Sequence, residues 1–215
     1  MKLSRLAVCL TMFLAWFSPL RADRAPFDLP EQASLEKLRA GEWIVESDST
    51  EDHWAAAWVV VFIPAPLERI WNTIINCRDA FVFVDGLEFC EVLEERGDFA
   101  RTRQVLDKGW TVPQLDLTFE TYREPYEYMD FNMVEGNLKI MKGSWDFRRL
   151  EDGTLVRYSL IIQPKFPAPR WLVRRNMKKD LPRMMRCIRS LVIDDPPNEE
   201  ILQDRQQCPG EFPSG

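Results

Sequence analysis

The chain has 215 residues, a formal net charge of −6, 46% hydrophobic and 12% aromatic residues, and one histidine. That length suits one domain with appendages and a true core, and the composition excludes global disorder. The acidic balance argues against nucleic-acid partners, and a lone His53 excludes histidine triads and multi-histidine metal sites.

Residues 1–22 have the layout of a secretory signal. Lys2 and Arg5 form a basic start, residues 6–17 are apolar apart from Thr11, and Leu20 and Ala22 suit cleavage after Ala22. The apolar run is too short to span a bilayer. Cys9 lies inside that run and not at its end, which argues against a lipoprotein cysteine. Cleavage removes Lys2, Arg5 and Arg21 and no acid, so the mature charge is −9. The expected location is the periplasm or the extracellular space. Four cysteines then remain in an oxidising compartment. They allow three pairings; sequence neighbours favour Cys77–Cys90 and Cys187–Cys208, with buried free thiols as the alternative.

Residues 23–41 read as an N-terminal extension with a short helix over 31–39, ended by Gly41. Alternation predicts a strand over 42–47, a polar turn over 48–52 and an apolar strand over 54–63. Pro66 opens a helix whose buried side is Leu67, Ile70, Trp71 and Ile74. Residues 77–85 fit either a second short helix or a packed loop. Further strands are expected over 89–95, 100–107, 115–123, 128–134, 139–150 and 154–163, joined by tight turns as antiparallel hairpins.

A long helix follows over 167–192. Val173, Met177, Leu181, Met184, Ile188 and Leu191 form one stripe at helical period. The opposite face carries Arg170, Arg174, Arg175, Lys178, Lys179, Arg183, Arg186 and Arg189, and Pro182 is expected to kink the run. Such a helix buries its stripe against the concave face of the sheet that precedes it. The fold class is therefore α+β, with the domain over 42–193 and a loose Pro- and acid-rich tail over 194–215.

Residues 63–71 (IPAPLERIW) resemble the START-like, or SRPBCC, superfamily, where a strand ends at an Ala-Pro pair before a helix with an inward Trp. Residues 141–160 (MKGSWDFRRLEDGTLVRYSL) are similar to the late hairpin of its polyketide cyclase/dehydrase and coenzyme Q-binding branch. The resemblance implies a helix-grip fold, a curved antiparallel sheet wrapped around the last helix, over residues 42–192. It is specific for fold and weakly specific for function, since the superfamily spans carriers, cyclases, allergens and lipid-transfer domains.

A helix-grip sheet leaves a cavity for a small molecule. Alternation selects its lining: Leu117, Phe119 and Thr121; Met129, Phe131 and Met133; Met141, Gly143, Trp145 and Phe147; Val156, Tyr158, Leu160 and Ile162. The helix wall would be Met177, Leu181, Met184 and Met185, an adaptable apolar surface. The plain alternative is a filled core; Gly143, lacking a side chain mid-strand, points to a hollow or a bend. Asp116, Glu120, Asp130 and Asn132 alternate with the apolar set and form a solvated outer face. Arg101 and Arg103 share a face that is either surface or a polar anchor. The adjacent pairs Glu94–Glu95, Asp194–Asp195 and Glu199–Glu200 read as solvated charge.

The expected ligand contacts are Phe119, Phe131, Met133, Met141, Trp145, Tyr158, Leu160, Met177, Leu181 and Met184, with a disulfide between Cys77 and Cys90. The leading expectation is an exported, monomeric binding protein for a lipid or isoprenoid quinone, without cofactor, metal or catalytic residues. The basic helix face, with Trp171, is either a solvated face or a peripheral contact with anionic membrane. The alternatives are a polyketide cyclase or dehydratase using cavity acids or tyrosine, and a ligand-free interaction module.

Overall fold

The computed structural model describes residues 27–28, 30–48, 55–110, 112–193 and 199–212. The signal segment 1–22, His53 with most of its polar turn, and residues 194–198 lie outside the described residues.

Thirteen elements follow in chain order among the described residues: α1 (Gln32–Arg39), β1 (Ile44–Asp48), β2 (Ala56–Ile63), α2 (Leu67–Ile75), α3 (Cys77–Phe83), β3 (Leu87–Arg96), β4 (Phe99–Leu106), β5 (Leu115–Glu124), β6 (Tyr128–Gly136), β7 (Leu138–Leu150), β8 (Gly153–Pro164), α4 (Arg170–Val192) and α5 (Glu199–Gln206). The strands form one antiparallel sheet in the order β1-β2-β8-β7-β6-β5-β4-β3. Strands β3 to β8 meander through short hairpins, and the β1–β2 hairpin then docks on β8. Residues 77–85, open between helix and loop in the sequence, begin with α3, whose first turn is capped by the Asn76 side chain accepting from the Arg78 N–H at 2.9 Å.

The unbroken apolar run of β2 has a structural cause: it is covered on both faces. Val59, Val61 and Ile63 join the core beneath α4. Val60 and Phe62 face the other way, with Leu155, against Leu38 and Phe27. Helix α1 therefore plugs the convex side of the β2–β8 pair, through a Leu38 that is 1% exposed.

Helix α4 packs against β1, β2, α2, α3 and α5. It buries Met177, Leu181, Met185, Ile188 and Val192 and continues through Pro182. Arg189, expected on the solvated face, is buried instead. Its Nη2 lies 2.6 Å from Asp204 Oδ2 on α5. The tail is likewise not loose over residues 199–212. Helix α5 docks on α4, Ile201 is buried, and Cys208 closes a disulfide with Cys187. Arg205 Nη2 donates to the carbonyls of Ser190 and Ile193, meeting acceptors that the end of α4 leaves open.

The sequence of β7 also behaves differently from expectation at Gly143. A Cβ there would stand 2.1 Å from the Ser159 carbonyl oxygen and 2.6 Å from Phe131 Cζ. The missing side chain is filled by the Phe131 ring and creates no hollow.

A candidate ligand-binding cavity

Strict alternation along the central strands sends one column of each to the concave face. Cross-strand register aligns these columns into rows. Arg123 pairs with Met129, Met129 with Trp145, Trp145 with Tyr158, and Tyr158 with Val59. The next row runs Thr121, Phe131, Gly143, Leu160 and Ala57. Between these rows and the first half of α4 lies a cavity of about 460 Å³. That volume is within the range of about 300–1,000 Å³ typical of small-molecule sites.

One wall is aromatic. Phe131 stacks on Tyr158 with centroids 6.0 Å apart, meets Phe119 edge-on at 5.8 Å, and Trp145 lies 4.2 Å from Tyr158. Met141, Leu160 and Ile162 extend this wall, and Met177, Leu181 and Met184 face it from α4. The Tyr158 hydroxyl is fully enclosed, and burial pushes its pKa up, so it stays protonated and can only donate or accept a hydrogen bond. Cys77 and Cys90, joined in a disulfide with Cα atoms 5.5 Å apart, form part of the lining on the α3–β3 side.

Charge gathers on the lining contributed by α4 and the 85 and 108 loops. Asp85 Oδ2 lies 3.0 Å from Lys108 Nζ, and Asp85 Oδ1 lies 3.3 Å from Arg183 Nη1. Burial opposes ionisation of Asp85, yet Lys108 and Arg183 together hold its carboxyl below the usual range. Asp180 stands in the same group without a hydrogen bond to a described residue, and burial pushes its carboxyl up. All four line the cavity.

Nine of the ten expected ligand contacts line this one cavity: Phe119, Phe131, Met141, Trp145, Tyr158, Leu160, Met177, Leu181 and Met184. Met133 does not. It is the ladder partner of Phe119 and packs beside Leu117 and Phe119, with its sulfur against Gly136. Met185, placed in the same wall by its spacing, is fully buried in the core instead. The outer-face reading holds for two of the acids: Asp116 pairs with Arg103 at 2.8 Å and Glu120 with Arg101 at 2.5 Å, away from the cavity, while Asp130 is half-buried and burial pushes its carboxyl up. That same pairing makes Arg101 and Arg103 surface residues. Missed were Asp85, Lys108, Asp180 and Arg183, and also Arg123, which ends the inward column Leu117, Phe119, Thr121. Period 2 alone pointed to Arg123.

Among the described residues, no group of three or more His, Cys, Asp or Glu side chains is placed to hold a metal, and no helix is long and apolar enough to cross a membrane. No curated protein matches the chain in sequence. Solved structures share its fold. The STAR-related lipid transfer protein of Xanthomonas axonopodis superposes with a TM-score of 0.60 at 15% identity, covering 70% of this chain and 93% of that one. Human STARD10 gives 0.56 at 9% identity, over 77% and 81%. The Zhui aromatase/cyclase from Streptomyces sp. R1128 gives 0.52 at 14% identity, over 69% and 92%. Residues 63–189, from the end of β2 to the buried Arg189 of α4, match the profile of one family. Sheet, grip helix and sequence profile agree: the chain belongs to the polyketide cyclase/dehydrase and lipid transport family.

Proposed function

We propose that the protein is a carrier that encloses an apolar ligand, an isoprenoid quinone or a lipid, between its sheet and α4. The observation that carries this reading is the cavity, walled by Phe131, Trp145, Tyr158, Met177 and Met184 while Asp116 and Glu120 face outward. Burial of apolar ligand surface there contributes roughly 25 cal/mol per Å² before ordering costs. The lipid-transfer name of the Xanthomonas relative supports the same class of cargo.

Two exposed tryptophans supply the route to a membrane. Trp110 is 99% exposed, two residues from the cavity residues Lys108 and Val112. Trp171 is 60% exposed, beside the cavity residue Leu172. Phe166 packs in the same cluster as Leu115, which brings the loops before β5 and before α4 to one end of the cavity. Exposed Arg175, Lys178 and Lys179 follow on α4. Aromatic rings with basic charge suit the headgroup region of an anionic bilayer. Export belongs to the same proposal, on the layout of residues 1–22 and on two disulfides suited to an oxidising compartment. We take the working unit as a monomer.

A second reading, a cyclase or dehydratase, rests on Asp180. A carboxyl whose pKa is raised by burial and which lines the cavity is a general-acid candidate. The Streptomyces aromatase/cyclase shares the fold.

The test is transfer of radiolabelled ubiquinone between vesicles of phosphatidylcholine with and without phosphatidylglycerol. Transfer should rise with the anionic lipid and fall about tenfold when Trp110 and Trp171 are both changed to Ala. No transfer under either condition contradicts the carrier reading.

A further inference from the structure

The family profile ends at residue 189, yet the chain beyond it returns to the cavity. Helix α5 leads into residues 207–210, which pass from the second half of α4 across to α3. Three contacts hold this strap. Cys208 is bonded to Cys187, which is fully buried on α4. The Gln207 carbonyl accepts from Arg183 Nε at 2.9 Å. Gly210 lies against α3, where a Cβ would stand 2.8 Å from the Phe81 carbonyl carbon and 3.0 Å from Val82 Cα. Between these fixings Pro209 lines the cavity and is also exposed, so the strap marks the boundary between cavity and water. It lies over the seam where α3 meets α4, and Ala80 and Phe83 of α3 and Arg183 and Met184 of α4 line the cavity there. Arg183 ties seam and strap together, since its Nη1 lies 3.3 Å from Asp85 Oδ1 just past α3. Trp171 stands earlier on the same helix, about 18 Å from Arg183 along its axis.

We infer that residues 207–210 are a seal. Latched by the Cys187–Cys208 bond, they close the α3–α4 side of the cavity, so that cargo leaves at the Trp110 and Trp171 end, in contact with a membrane. This rests on the carrier reading above and adds to it a control on leakage. An apolar ligand escapes to water whenever a cavity wall opens locally, and short exposed segments open most readily. The contacts of the strap to Arg183 and to α3 are near the surface and individually weak. A covalent tie to the buried Cys187 keeps the strap beside its seat, which favours closing over opening.

The probe is N-phenyl-1-naphthylamine, a neutral apolar fluorophore, loaded on the full oxidised chain and read by energy transfer from the protein's tryptophans. Release is timed after mixing with excess methyl-β-cyclodextrin in buffer or with phosphatidylglycerol vesicles. The unaltered chain should release about tenfold faster to vesicles than to cyclodextrin. Cys187→Ala combined with Cys208→Ala should speed release to cyclodextrin about tenfold and keep the dissociation constant within about threefold, because an opened wall speeds entry and exit alike. Gly210→Val, which lifts the strap from α3 with the disulfide intact, should do the same and decides the matter if the cysteine variant does not fold. Release to cyclodextrin that stays slow in Gly210→Val overturns the seal. So does faster release matched by an equal loss of affinity, which would make Pro209 a ligand contact only. Equal release to cyclodextrin and vesicles by the unaltered chain overturns it too. In each of these cases the probe still binds, and the carrier reading stands. If the probe binds neither the unaltered chain nor a variant, the carrier reading falls and the seal with it.

Discussion

The rings of Trp145 and Tyr158 lie 4.2 Å apart on the adjacent strands β7 and β8, and both line the cavity. Their pairing follows from register, since the two residues are direct partners in the ladder. Strand alternation then aims both at α4. One aromatic face is thereby offered to a ligand, and burial keeps the Tyr158 hydroxyl protonated.

Tyr158→Phe should leave the empty protein as stable as before or about 1 kcal/mol more stable, because a hydroxyl bordering an apolar cavity is removed. Urea unfolding of the ligand-stripped protein checks this. A loss of 2 kcal/mol or more would mean that the hydroxyl has an acceptor in the fold.

Trp145→Ala should reduce retained ligand per folded molecule more than Arg186→Ala does. Trp145 lines the cavity, whereas the Arg186 guanidinium sits 5.5 Å from the Trp43 ring on the far half of α4. Extraction and quantification of ligand from both variants compares them. Equal or reversed losses would remove Trp145 from the binding wall.

Quantitative alkylation without reductant should leave Cys77 and Cys90 unlabelled in exported protein, because the two are bonded across a 13-residue separation. Replacing both by Ser should cost about 3 kcal/mol, chiefly by freeing the unfolded chain. Full labelling of either residue before reduction would contradict the bridge.

Asp180 gives a pH dependence with a definite sign. Burial, then the neighbouring Asp85 carboxylate, raises its pKa, against the lowering influence of Lys108, Lys179 and Arg183. The folded state therefore binds the proton more tightly than the unfolded state. Stability falls as pH rises from the ordinary carboxylate range through the raised value, and the deficit persists at neutral pH. Asp180→Asn should raise the melting temperature by about 2 °C at pH 7 and by nothing near pH 3, where both states are protonated. The same variant should leave carrier function intact; loss of a cyclisation activity would instead favour the enzyme reading.

The cavity wall was legible because a strand's side-chain period is fixed at two. Once Phe119 faces inward, Leu117 and Thr121 must follow, and the hairpins carry that choice from strand to strand. Met133 keeps the inward phase as the ladder partner of Phe119, but towards the end of β6 it packs beside Leu117 and Gly136 and does not line the cavity. Arg123 was lost for a different reason: its side chain reads as surface, although its position obeys the inward alternation. Nothing local marks Asp180 or Arg183, since their meeting with Asp85 and Lys108 depends on how α4 lies over α3 and β4. Helix α5 was also opaque. Its buried side consists mainly of Ile201 and Asp204, and Asp204 is stable there because Arg189 comes to meet it. Gly143 shows the limit of reading space from a missing side chain, because Phe131 on the next strand fills it.

Native mass spectrometry of protein purified from an exporting host, with solvent extraction of whatever accompanies it, tests the carrier reading most directly. The expected result is a stoichiometric apolar adduct that is displaced by added ubiquinone. A clean unliganded mass that persists after incubation with quinones and phospholipids would contradict it.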